Sequence, residues 1–199
     1  MVSRQIGRTG KYAFDAVVRT LAARGVNPNV LTAIGFGINL FAAYLFAYGY
    51  FRPAGFSILI AAVFDLTDGP VARATNRVTA FGGFFDSVMD RYSDLGLLIG
   101  LLIYYGRINR FFYVALVAVA MIGSVMTSYT RARAENLIPS CKVGFLERAE
   151  RVVLIIIGAL SQRMAPVLWV IATLSNLTVI HRVLYAYRQT RRFQTQPPV

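Results

Sequence analysis

The chain has 199 residues, 56% of them hydrophobic, with a mean hydropathy of +0.54 and a formal net charge of +12 at neutral pH. An apolar share above the roughly 45–50% of soluble domains, gathered in long blocks, excludes an ordinary soluble domain and places the chain in a membrane. The single cysteine, Cys141, excludes an intrachain disulfide framework and a multi-cysteine metal site. The positive charge is assigned to membrane lipid head groups and not to nucleic acid.

No apolar h-region with a small-residue cleavage site stands at the start, so no cleaved signal peptide is expected. Residues 1–25 form a basic arm in which Ile6, Tyr12, Phe14, Val17, Val18 and Leu21 alternate with Arg4, Arg8, Lys11, Arg19 and Arg24. The later part reads as an amphipathic helix lying in the interface, with a solvated basic tail as the alternative. Gly25 breaks that run, and Asn27 and Pro28 have the chemistry of an N-cap and a first helical residue.

Apolar segments follow at about 30–51, 54–74, 80–105, 110–133, 147–163 and 165–188. Most reach the ~20 residues that span the hydrocarbon. The expected fold is therefore an all-α integral membrane bundle of six transmembrane helices over 26–190, preceded by the interfacial arm. A flexible tail is expected over 191–199. Six spans put both termini on one side. The arm, Arg73 and Arg77, the stretch Arg131–Arg151 and the tail Arg182–Arg192 collect most of the arginines there. Cations concentrate in the cytoplasm, so both termini and the 75–79 turn are expected to face it, in a multi-pass cell-membrane protein.

Only nine acidic residues occur, and Asp65, Asp68, Asp86 and Asp90 fall within the stretch DLTDGPVARATNRVTAFGGFFDSVMD. A carboxylate at the centre of a membrane helix costs roughly 2.5–3.5 kcal/mol, so four of them need a positive partner. Asp65 and Asp68 are three apart and Asp86 and Asp90 four apart, so each pair shares a helix face. A Gly-containing connection returns the second helix antiparallel to the first. Four carboxylates without Cys or His make an all-oxygen pocket suited to Mg²⁺ first and to Mn²⁺ or Ca²⁺ next. Two such ions, about 3.5–4 Å apart, would balance the charge and leave room for a diphosphate. Gly69, Ala72 and Gly82 flank the aspartates, and such small residues allow either close helix packing or approach of a ligand. Arg73 is placed either to hold a phosphate or to snorkel to the interface.

The string Asp65-x-x-Asp68-Gly69-x-x-Ala72-Arg73, eight residues, Gly82-x-x-x-Asp86-x-x-x-Asp90 resembles the signature of the CDP-alcohol phosphotransferase family. That resemblance implies six transmembrane helices in a homodimer and displacement of CMP from a CDP-linked donor by an alcohol. It implies metal binding by Asp65, Asp68, Asp86 and Asp90, with Asp90 also the general base on the acceptor hydroxyl. Asp68, Gly69, Ala72, Arg73 and Gly82 would line the CDP site. Asn29 and Thr32, three apart at the start of the first span, are further candidates there, although first-turn backbone bonding equally accounts for Asn29. Asp94, one turn beyond Asp90, lies outside the signature and is assigned a structural hydrogen bond.

A second polar constellation closes the fourth segment and opens the fifth. Ser128 and Arg131 are three apart on one helix, and Arg148 and Arg151 three apart on the next. Paired guanidiniums with a hydroxyl suit a phosphate monoester; ordinary positive-inside flanking with local Glu–Arg pairs is the alternative. SYTRARAE and GFLERAER look like the acceptor region of the phosphatidylinositol-phosphate and archaetidylinositol-phosphate synthase branch. That likeness implies inositol phosphate held by Ser128, Arg131, Arg133, Arg148 and Arg151, with CDP-diacylglycerol or a CDP-linked ether lipid as donor. Glycerol 3-phosphate and serine are the competing acceptors within the family. A divalent-cation channel or carrier is the reading from another class, and it requires carboxylates along a path through the membrane.

Overall fold

The computed structural model describes residue 16 and residues 18–195, with side chains described as far as 191. Six helices carry the fold: α1 (Pro28–Ala47), α2 (Phe51–Ala74), α3 (Ala80–Arg107), α4 (Phe111–Ala134), α5 (Arg148–Leu160) and α6 (Met164–Thr195). No strand occurs among the described residues. The expected cap is present, since Asn27 Oδ1 accepts the Asn29 N–H at 3.0 Å with Pro28 opening the helix. Thr79 caps α3 in the same way, accepting the Gly82 N–H at 2.9 Å. Asn76, Asn109 and Gln162 take positive φ in three of the turns, and Gly49 does so in a fourth.

The helices close a ring. The principal packing pairs run α1 on α2, α2 on α5, α5 on α6, α6 on α4, α4 on α3, and α3 back on α1. Inside lies an apolar core that includes Phe46, Ile58, Leu97, Leu101, Val117, Leu168 and Ile171. Outside, Phe41, Phe56, Ile60, Ile99, Ile122, Ile157 and Ile180 are exposed in the isolated chain, as side chains facing lipid are. The turns at 48–50 and 108–110, with nearby Tyr104, Tyr105, Phe112, Tyr113 and Trp169, build an aromatic cluster at one end. The arginine-rich segments lie at the other end.

The chain is a multi-pass membrane protein. Helices α1, α2, α4 and α6 are long and apolar enough to cross a bilayer. The remaining two segments depart from the expectation of six uniform spans. Helix α3 has 28 residues but carries Asp86, Asp90, Arg91 and Asp94 between its start and its midpoint turn. Helix α5 has 13 residues and is about 20 Å long, short of the ~30 Å hydrocarbon thickness. It begins late because Glu147 serves as its N-cap in a capping box with Glu150, and it stops where the chain reverses after Ser161.

Both ends of the chain also differ from expectation. Most of the 1–25 arm lies outside the described residues, but 18–23 are helical. There Val18 is buried against Leu31 and Val71, so this part docks on the bundle. The expected tail boundary at 191 moves as well, because α6 continues to Thr195; good helix formers fill the positions ahead of Pro197. Residues 196–199 lie outside the described residues.

Helix crossings rely on absent side chains. A Cβ on Gly100 would run into the carbonyl of Ala43, and one on Gly123 would stand 2.8 Å from Ser175 Cβ. Gly100→Ala is expected to force α1 and α3 apart and to cost about 1–3 kcal/mol, read as a lower unfolding midpoint in detergent. Gly37→Ala, with nothing within 4 Å of the added atom, is expected to leave the midpoint unchanged or slightly raised.

Candidate active site

The polar interior sits where α2, α3 and α5 meet. A single side chain from α5 reaches the acidic residues of both other helices. Arg148 Nη2 lies 2.7 Å from Asp65 Oδ2 and 2.8 Å from Asp90 Oδ1. Its Nε lies 3.7 Å from Asp94 Oδ1. One turn on, Arg151 Nη2 pairs with Asp94 Oδ2 at 2.6 Å, and both residues are almost fully buried. Removing one member of such a buried pair leaves the other charge uncompensated, which typically costs 3–5 kcal/mol. Asp94 thus makes the structural contact expected of it, and its partner is a cation.

Asp68 faces a different neighbour. Its Oδ2 accepts the Thr32 hydroxyl at 2.8 Å and its Oδ1 accepts the Gly69 N–H at 2.6 Å. Asp86 stands close enough to Asp68 and Asp65 for their charges to act on it. The four signature aspartates therefore converge. Among the described residues, however, no three carboxylates are disposed to hold a cation as they stand. The positive charge between Asp65 and Asp90 is the guanidinium of Arg148.

The remaining nucleotide-side candidates assemble beside Asp68. Asn29 Oδ1 is 3.3 Å from the point where a Cβ on Gly82 would stand, so the start of α1 abuts the start of α3. Arg73 is exposed, with Nη1 3.6 Å from the corresponding point on Gly69. Ala72 is half-buried one turn beyond Asp68. Pro70 removes one backbone donor from α2 beside Asp68 and Gly69, which leaves a local gap in the helix ladder.

A cavity of about 370 Å³ opens from Asp90 and Asp94 toward α4 and α6. Asp90, Ser128, Arg131, Arg148 and Arg151 line it, so the second constellation meets the first at Asp90. Arg133 does not line it and is exposed, so its expected place in an acceptor site is corrected. Two residues along a helix from Arg131 is a turn of about 200°, which points Arg133 away. The Glu–Arg pairs of the alternative reading are also present. Arg131 Nε meets Glu135 Oε1 at 3.1 Å and its Nη1 meets Glu147 Oε1 at 3.5 Å. The hydrogen bond from Arg131 holds the Glu135 carboxyl below its ordinary range, so this pair persists at neutral pH and is lost only in acid.

Sequence reasoning missed three contributors, the first of them a pair of residues on α6. Arg182, in the middle of α6, is 2% exposed and also lines the cavity. It donates to the Thr127 carbonyl at 2.6 Å, the Val143 carbonyl at 2.7 Å and Glu147 Oε1 at 2.8 Å. Thr178, one turn earlier, accepts the N–H groups of Phe145 and Leu146 at 3.0 and 3.1 Å. Together they fold the 135–147 connection back onto the bundle. Gly35 is the second contributor: a Cβ there would lie 2.6 Å from Asp65 Oδ1, so the absent side chain makes room for the carboxylate. Asn39 is the third, buried in α1 beside a small void that it shares with Asp65, Ser93, Asp94 and Arg148. A lone Arg or Asn inside an apolar span was the available signal for two of them.

The CDP-alcohol phosphatidyltransferase family pattern matches residues 26–184, and the chain belongs to that family of transferases. It is 38% identical to the archaetidylinositol phosphate synthase of Pyrococcus horikoshii over 180 residues, covering 90% of this chain and 93% of that protein. It is 33% identical to the phosphatidylinositol phosphate synthase of Cutibacterium acnes over 146 residues, covering 72% and 69%. Among solved structures it resembles the phosphatidylinositol phosphate synthase of Mycobacterium tuberculosis with CDP-DAG bound. The TM-score is 0.81 at 26% identity, over 87% of this chain and 93% of that one. A second structure of that enzyme, in complex with manganese and citrate, matches at a TM-score of 0.78 and 27% identity, over 87% and 88%.

Arg182→Met is expected to free the 135–147 connection, because two carbonyls and Glu147 lose their donor. Hydrogen–deuterium exchange should rise at the amides of 143–147 while α1 and α2 stay protected.

Proposed function

We propose that the chain transfers a phosphatidyl or archaetidyl group from a CDP-linked lipid to inositol phosphate and releases CMP. One observation carries the reading: Asp90 and Asp94 of α3 and guanidiniums of α4, α5 and α6 line one cavity, and Arg148 in its wall is paired with Asp65 of α2. The names of the relatives and the CDP-DAG bound to the mycobacterial enzyme support it.

The donor chemistry of the aspartates suits divalent cations once Arg148 withdraws. Asp65 and Asp90 already hold a positively charged nitrogen between them at 2.7 and 2.8 Å, and their donors are hard oxygens. Asp65, Asp68, Asp86 and Asp90 would hold two ions, Mg²⁺ or Mn²⁺, and the manganese in the mycobacterial structure supports this choice. When bound, such ions supply charge neutralisation to a diphosphate. Thr32 fixes the rotamer of Asp68 by its hydrogen bond. Asn29, Gly69, Ala72, Arg73 and Gly82 receive the nucleotide; the missing side chains admit it and Arg73 supplies charge. Ser128, Arg131, Arg148 and Arg151, with Arg182 added, receive the acceptor's phosphate.

Asp90 takes the proton of the acceptor hydroxyl. The hydroxyl oxygen then bonds to the lipid-bearing phosphorus, and the bond from that phosphorus to the CMP oxygen breaks. The two electrons of the broken bond leave with CMP. Six crossings are proposed, with the charged faces of α5 and of the start of α3 turned into the ring. Arginine-rich segments at the site's end support an orientation with both termini, and the cavity mouth, toward the cytoplasm. A homodimer is proposed from the family resemblance, with cross-linking in membranes as its check.

The purified protein is expected to release CMP from CDP-diacylglycerol or CDP-archaeol with Mg²⁺ and inositol 1-phosphate. Faster release with glycerol 3-phosphate or serine would overturn the acceptor assignment. Asp90→Asn is expected to lower turnover by about 10²–10⁴-fold. Gly35→Ala, which displaces Asp65 without touching a ligand, is expected to lower it by about 10²-fold with the fold retained.

A further inference from the structure

We propose that Arg148 is the resident counter-cation of Asp65 and Asp90. A divalent cation displaces it, and the freed guanidinium turns to the acceptor phosphate. The inference rests on reading the aspartates as metal ligands and the arginines as the acceptor site. It adds that one side chain belongs to both and serves them in turn.

The geometry forces the exchange. A single nitrogen, Nη2, holds both carboxylates at hydrogen-bond distance. Magnesium binds oxygen at about 2.0–2.1 Å, so the same two oxygens cannot grip an ion with Nη2 still between them. Two cations on one pair of carboxylates would also repel at close range. The present posture of Arg148 is incomplete as well. Its Nε is buried without a hydrogen-bond partner, because Asp94 at 3.7 Å is beyond range and is already engaged by Arg151. An arginine that leaves its buried Nε without a partner gains by reaching a ligand that accepts from it as well.

A destination lies alongside. Arg148 lines the same cavity as Ser128, Arg131 and Arg151. It is the first residue of α5, directly after the Glu147 cap, so its swing requires no movement of the helix. Charge favours the sequence too. Four carboxylates are balanced by two divalent ions, which leaves the guanidinium in surplus until a phosphate anion arrives. Arg151 cannot play this part, because it is held by Asp94 in a buried pair away from Asp65 and Asp90. Metal and acceptor therefore favour one another through Arg148.

The test measures binding without turnover. Mn²⁺ affinity is read by electron paramagnetic resonance and inositol 1-phosphate affinity by calorimetry, each with and without the other, on full-length protein in detergent without donor. In the wild type each ligand is expected to tighten the other by the same factor, within about 5–150-fold. Arg148→Met is expected to bind Mn²⁺ more tightly than the wild type and to reduce the coupling below about twofold. Arg151→Met is expected to weaken the acceptor while the coupling persists. Arg148→Gln replaces Arg148→Met should the latter fail to fold, with the same expectation. A wild type that binds Mn²⁺ without coupling, or coupling that survives in the Arg148 variant, overturns the exchange and leaves the metal reading standing. A wild type that binds no Mn²⁺ overturns the metal reading itself.

Discussion

Everything in this bundle depends on the pairing of buried carboxylates with buried guanidiniums. In a protein surrounded by hydrocarbon, aspartates on two helices set a debt of charge that only a cation settles. Here α5 carries the cations, Arg148 for Asp65 and Asp90 and Arg151 for Asp94. Those contacts tie α5 to α2 and α3, and the apolar core could be rearranged more readily than they could. Lipid-facing surfaces give little direction to helix association, so polar contacts and small residues fix which helices meet.

The same pairing explains the shape of the basic end. A 13-residue helix that begins at Arg148 leaves the 135–147 connection to fill the space below it. Backbone groups brought into that space need partners, and α6 supplies them through Thr178 and Arg182. Gly144, at φ +147 and packed against Thr178, lets the connection make its turn there. Arg182 then binds Glu147, whose carboxylate also meets Arg131. A line of alternating charge thus runs from the sixth helix to the fourth along the cavity wall.

Much of this was legible in the sequence. The three- and four-residue spacings of the aspartates placed them on helix faces that do converge, and Asn27 and Pro28 marked the start of α1. Ser128 with Arg131 and Arg148 with Arg151 could be read as shared faces for the same reason. Arg133 could not take part, and helical angle alone excludes it once the face of Arg131 is known. Other features follow from tertiary contact and leave no local pattern. Gly35 owes its function to Asp65 on another helix, and the length of α5 is set by a cap and an inward-facing ion pair. That a guanidinium stands between the carboxylates depends on three helices at once.

The ring of helices divides along a chemical line. Helix α1 packs on α2 and α3, which hold every signature aspartate, while α6 packs on α4 and α5, and these three hold Arg131, Arg148, Arg151 and Arg182 of the cavity wall. The two triplets touch through α3 with α4 and through α2 with α5. An acidic module and a basic module therefore share one seam, and each keeps its own internal scaffold. Residues of the later triplet can vary the anion it accommodates without moving the backbone that holds the acids. Such an architecture lets one reaction centre serve different partner molecules by redecorating only half of its wall.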